Sequence, residues 1–200
     1  MRRPLPILVY SIALLLVLTA AGCNRATEAT PAPASAVEMP PFITDHPIKE
    51  IMLNVVDTNA DIVWLSVTTT ASAKGLIETR PQNDAEWARV RQAAVTLAEA
   101  ANLLMIPGRH VARPGEKSQT PGVELEPAEM EALINKDRPA FYKHAKALYD
   151  AAMLAVDAID KKDANKVFEV GENIDSACEN CHKSYWYPNE KIPQLPSSYK

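Results

Sequence analysis

Three residues near the C-terminus constrain this chain more than anything else in it: Cys178, Cys181 and His182, in the stretch Cys178-Glu179-Asn180-Cys181-His182. Positions i, i+3 and i+4 of a helix lie above one another, so two thiols and an imidazole face a single flat partner together. Cys-x-x-Cys-His is the attachment pattern of c-type haem. The thiols add to the vinyl groups as thioethers, and the imidazole that follows at once is placed to bind iron as proximal ligand. Only residues 183–200 follow His182 and none is Met, so an opposing ligand must come from upstream.

A zinc half-site, a redox dithiol and a structural disulfide are the competing readings, and each fits less well. Zinc needs a fourth ligand, yet the only other cysteine is Cys23 and no His pair stands at close helical spacing. A thioredoxin-like dithiol follows a strand in a βαβ pattern, whereas the residues before Cys178 are helical in pattern. An export signal at the N-terminus strengthens the haem reading, because attachment of this kind belongs to an oxidising compartment outside the cytoplasm.

That signal consists of Arg2 and Arg3, an apolar run from Ile7 to Leu18, and Thr19-Ala20-Ala21-Gly22-Cys23. The small residues before Cys23 resemble a bacterial lipobox, which implies a lipid-acylated Cys23 at the mature N-terminus, residues 1–22 being removed. Ala20 stands where the pattern has a larger aliphatic, so ordinary cleavage or an uncleaved anchor is the alternative. Loss of Arg2 and Arg3 takes the formal net charge from −4 to −6, and an acidic domain is a poor nucleic-acid binder. Residues 23–44 are rich in Ala, Pro and Thr and read as a flexible tether. Residues 45–190 then form one domain, and 191–200 a C-terminal tail. About 155 residues suffice to bury a substantial core.

The domain reads as all-α, in four helical segments with no period-two strand alternation between them. The first follows Asp45-His46-Pro47 and repeats Ile48, Ile51, Met52, Val55, Ile62 and Val63 to about Val67. A second starts at Asn83 or Asp84, where Asn83 and Glu86 suggest a capping box, and runs to Ile106 before Pro107-Gly108. Residues 107–126 read as a long ordered loop. The third helix spans about Pro127 to Asp160 with a kink or restart near Asp137, since Pro139 removes a backbone donor. The fourth runs from about Asp163 to Tyr185, with Pro188 beyond it. An antiparallel four-helix bundle with the haem at one end is the simplest architecture.

A haem motif close to the C-terminus of a four-helix chain resembles the class II cytochromes c, the group of cytochrome c-prime and its low-spin relatives. The resemblance covers about residues 46–187 and includes an aromatic three residues beyond the haem histidine, here Tyr185. It implies Met52, early in the first helix, as sixth iron ligand opposite His182, with core filling as the alternative role. It also implies an electron carrier, and by analogy a homodimer. The chain departs from the family in having Trp186 and Tyr187 where a basic residue is common. It also has Asp57, Asn59 and Asp61 in place of a Gly-rich stretch, and a longer second loop.

Among other candidates, Met105 lies beside the Pro107-Gly108 break and Met153 is expected to pack mid-helix. His46, His110 and His144 are expected to be solvated. Arg109, Arg113 and Lys117 either pair with haem propionates or belong to a solvated loop. Trp64 and Trp87 are expected in the core. No paired catalytic carboxylates, nucleophile elbow, phosphate loop or second haem motif is present, so no enzyme is expected. The expected function is a monohaem periplasmic electron carrier of a bacterium, anchored to the membrane through Cys23 and exchanging electrons with redox partner proteins. A five-coordinate haem protein binding NO or CO, and a non-catalytic haem subunit of a respiratory assembly, are the alternatives.

Overall fold

The computed structural model describes residues 42–190. The expected signal segment 1–22, Cys23, the tether as far as Pro41 and the tail 191–200 lie outside the described residues. Among the described residues the chain is mostly helical, with one small two-stranded sheet, and no helix is long and apolar enough to cross a membrane.

The first helical segment starts after Pro47, which lacks the N–H that a first helical turn leaves unpaired. It runs as α1 (Ile48–Ile51), a π-helical stretch (Met52–Asp57) and α2 (Thr58–Ser66). The free N–H groups of Ile48 and Lys49 donate to the carbonyls of His110 and Val111 at 2.9 and 3.0 Å, so the long loop closes this helix end. Around the π stretch, the Asn54 and Asn59 amides donate to the carbonyls of Glu50 and Val55 at 2.8 and 2.7 Å. Short polar side chains therefore hold a backbone that has left regular i→i+4 bonding.

The expectation of an all-α chain is corrected by a hairpin. β1 (Thr68–Ser72) and β2 (Gly75–Thr79) pair antiparallel, with Thr68 opposite Thr79 and Ser72 opposite Gly75. The β-branched run Thr68-Thr69-Thr70 suits a strand, and Gly75, at φ +113°, supplies the left-handed conformation that the turn demands. Almost every residue of the hairpin is exposed, Leu76 at 72% among them. With no face buried, no alternating pattern was needed, which is why the sequence shows none.

Helix α3 (Asp84–Met105) opens on Asn83, whose side chain accepts from the Glu86 N–H at 3.0 Å. The return bond differs from the expected capping box, since the Glu86 carboxylate accepts from the Gln82 N–H at 2.7 Å instead of the Asn83 N–H. The expected restart occurs: α4 (Pro127–Lys136) stops at Asp137, and α5 (Arg138–Asp160) begins there, with Asp137 accepting from the Ala140 N–H at 3.0 Å. Pro139 thus falls in a first turn, where its missing donor costs nothing. Asp163 caps α6 (Ala164–Tyr185) through the Lys166 N–H at 3.0 Å.

α3 packs along α5, α5 along α6, and α2 against both α3 and α6. Alanines line much of this core, Ala94, Ala98 and Ala101 on α3 and Ala152, Ala155 and Ala158 on α5, and their small side chains let the backbones approach closely. Leu97, Val63, Val167 and Ile174 are the largest fully buried side chains. At Gly171 a Cβ would meet the Trp64 ring at 3.2 Å, and the absence of one lets the Trp64 indole donate to the Gly171 carbonyl at 3.1 Å. Trp64 and Trp87 are half-buried against the core, so neither lies fully inside it.

Candidate functional site

Helix α6 carries Cys178, Cys181 and His182 on one face, as their spacing requires, and all three are partly buried. They line a cavity of about 420 Å³ whose other walls come from the first helical segment, Leu104 of α3, the long loop, α4 and α5. Ile48, Met52, Val56, Ala60 and Trp64 line it from the first segment, one at every fourth position, with Lys49, Leu53 and Asp57 beside them. In an α-helix such a series slides sideways by about 40° per step, because a turn takes 3.6 residues. The wider π turn across Met52–Asp57 removes part of that drift and keeps the series facing one way. Met52 and the motif, far apart in sequence, thereby meet one space.

The electrostatics are those of neutral donors. Burial pushes the Cys178 thiol up to about 11, with Asp175, Glu179 and Asp57 adding to it, and burial with the neighbouring Cys178 pushes Cys181 up to about 12. Burial holds His182 below the ordinary imidazole range against the opposing pull of Glu179 and Asp57. Thiols so placed are poor thiolate nucleophiles, which disfavours disulfide exchange, while a neutral imidazole is the form that binds a metal. No three His, Cys, Asp or Glu side chains among the described residues are grouped to hold a metal ion. Cys178 and Cys181 are not bridged to one another.

The His182 carbonyl accepts from the N–H groups of both Trp186 and Tyr187, at 2.7 and 3.0 Å. Tyr187 donates its hydroxyl to Glu179 Oε1 at 2.6 Å, which lowers the Glu179 carboxyl; burial first, and then that bond, raises the Tyr187 phenol. Tyr185 packs edge-on against Phe141 and His144, at ring-centre distances of 5.4 and 5.7 Å.

The remaining candidates separate clearly. His46 and His110 are exposed and paired with Glu50 and Glu131 at 2.8 and 2.9 Å. His144 was expected in solvent, but it is half-buried and lines the cavity. Its place follows from the apolar face Phe141, Ala145 and Leu148, which it joins despite the charges elsewhere on the helix. Met153, expected to pack, is 40% exposed. Met105 packs against the core, away from the cavity lining. Met130 on α4, which sequence reasoning did not single out, also lines the cavity together with Ile134 at helical spacing.

Arg109 is not available to a ligand's carboxylates. It is 8% exposed and donates to the Leu103 carbonyl at 3.1 Å and to the His46 carbonyl, tying the end of α3 to the start of α1. Arg113 pairs with Glu50. Lys117 is exposed and lines the cavity. Nearby, burial raises the Glu124 carboxyl, but the Thr120 and Gln119 N–H groups and the Ser118 hydroxyl hold it below the ordinary range, which closes the loop on itself. No family model, curated protein or solved structure matches this chain.

Proposed function

We propose that the chain is a monohaem c-type cytochrome that carries electrons outside the cytoplasm, with haem attached through Cys178 and Cys181, His182 as proximal ligand and Met52 as distal ligand. One observation carries this reading. The two thiols, the imidazole and the Met52 thioether line the same cavity of about 420 Å³, although Met52 and the motif sit at opposite ends of the domain. That volume lies within the ~300–1,000 Å³ typical of cofactor and ligand sites. In this reading α1 to α2 count as one helix and α4 to α5 as another. With α3 and α6 they make the antiparallel four-helix bundle of a protein resembling the class II cytochromes c.

The residues present suit the group. The donor set is two unpaired thiols, a neutral imidazole and a thioether, and the surrounding wall includes Val56, Leu104, Phe141 and Leu148. When bound, such a haem supplies one-electron chemistry, with the imidazole and thioether pair favouring the ferrous state and raising the potential. The chain's own task is then to exclude water with that apolar wall, to present His182 and Met52, and to meet the cofactor's carboxylates. Lys117 is the residue for the last role, because Arg109, Arg113 and Lys49 are engaged with His46, Glu50 and Glu116. Partners in this reading are redox proteins, and Cys23 anchors the mature chain to the bacterial membrane.

Absorption spectra of the holoprotein in both oxidation states test the ligand assignment. The ferric methionine-to-iron charge-transfer band is expected in the native protein and in Met130→Ala, and is expected to vanish in Met52→Ala. A high-spin native spectrum with ready carbon monoxide binding contradicts the six-coordinate carrier and favours the gas-binding alternative.

A further inference from the structure

The helix that bears the motif ends on two aromatic residues that haem attachment does not use. Trp186 is the C-cap residue of α6, and its ring centre lies 4.9 Å from that of the His182 imidazole with the planes at 90°. The Tyr187 ring lies 5.8 Å from the same imidazole at 60°. Both separations fall in the range where edge-to-face aromatic contacts are favourable.

Both residues are anchored beside the imidazole. The Trp186 backbone is fixed by its N–H to the His182 carbonyl at 2.7 Å and by its own carbonyl, which accepts from the Leu125 N–H at 2.8 Å. Tyr187 is fixed by its N–H to the same His182 carbonyl at 3.0 Å and by its hydroxyl to Glu179 at 2.6 Å.

An imidazole ligand is ordinarily oriented by a hydrogen bond from its second nitrogen to a carboxylate or carbonyl. His46, His110 and His144 each have a ring hydrogen bond, whereas none among the described residues involves a ring nitrogen of His182. The torsion that turns an imidazole about its stem is broad and weakly restrained by itself. Orientation must therefore come from packing, and the perpendicular Trp186 ring is the nearer of the two contacts.

The geometry points to Trp186 as the positioning residue of His182: its indole edge-on contact sets the plane of the imidazole as the iron ligand. Tyr187 supports it from a second side. The assignment rests on the haem reading above, and it gives a role to an aromatic residue where the resembling family commonly has a basic one. Because the Trp186 carbonyl is held by Leu125, the long loop that walls the cavity shares in fixing the proximal side.

Low-temperature electron paramagnetic resonance of the ferric holoprotein tests this, because the ferric g values depend on the imidazole plane whether iron has five or six ligands. Wild type, Trp186→Phe and the remote control Trp87→Phe are expected to give one ferric species. Trp186→Leu is expected to split that signal into two or more species, or to shift its g values, while the haem stays covalently bound. Trp186 is 38% exposed, so the variant has room to fold, and Trp186→Gln carries the same expectation should the leucine variant not be recovered. Wild-type g values in Trp186→Leu or Trp186→Gln overturn the positioning role alone. Absence of haem from the wild-type protein overturns both this inference and the reading on which it rests.

Discussion

Side chains of similar chemistry hold very different positions in this molecule, and substitution should separate them. Leu97 is fully buried, so Leu97→Ala removes packed methyl groups and leaves a cavity; a loss of about 2–5 kcal/mol is expected in chemical denaturation. Met153→Ala, on an exposed face, should stay within roughly 0.5 kcal/mol of wild type. Arg109→Ala is expected to cost about 1–3 kcal/mol, since it leaves the Leu103 and His46 carbonyls without their donor at a buried junction. Equal stability of Arg109→Ala and wild type would refute that structural role. The motif trio was legible because its spacing has meaning within one helix. Arg109 was not, because its partners lie 6 and 63 positions away and only the folded path brings them near.

At the level of elements, breaks matter more than helices. The restart at Asp137 was foreseeable from Pro139, and Asp137→Ala should cost about 1 kcal/mol as the loss of a helix cap, measured by thermal or denaturant unfolding. The π stretch was not foreseeable, because Met52-Leu53-Asn54-Val55-Val56-Asp57 reads as ordinary amphipathic helix. Its role can be tested by deleting Asn54, an exposed residue of the stretch that lies outside the cavity lining. The deletion should restore α-helical bonding and shift Met52 against Val56 and Ala60. The folded protein is then expected to keep its circular dichroism but lose methionine coordination, and retention of the methionine-to-iron band would contradict the alignment argument. The hairpin escaped the sequence for the opposite reason, since a ribbon exposed on both faces leaves no hydrophobic period to read.

For the whole molecule, charge sets the acid limit of stability. Arg113 holds Glu50 below its ordinary 4.5, Lys49 does so for Glu116, and Lys162 and Arg91 hold Asp84 and Asp160 below 3.8. A carboxyl whose folded value is depressed adds stability above its unfolded value and loses it as pH falls through the folded one. The midpoint temperature should therefore decline as pH drops below about 4.5, and less steeply at high salt, because these pairs are exposed and screened. A midpoint that rises in that window would contradict the pairing. The cavity is also a property of the whole, since the first helical segment, α3, the long loop, α4, α5 and α6 must assemble before the thiols, the imidazole and Met52 share one space. Covalent attachment of one haem underlies the proposed function, and denaturing mass spectrometry of the exported protein measures it. A mass exceeding that of the mature polypeptide by one haem is expected, and its loss when Cys178 and Cys181 are both replaced by Ser. A wild-type mass equal to the polypeptide alone, in a host competent for haem attachment, would contradict it.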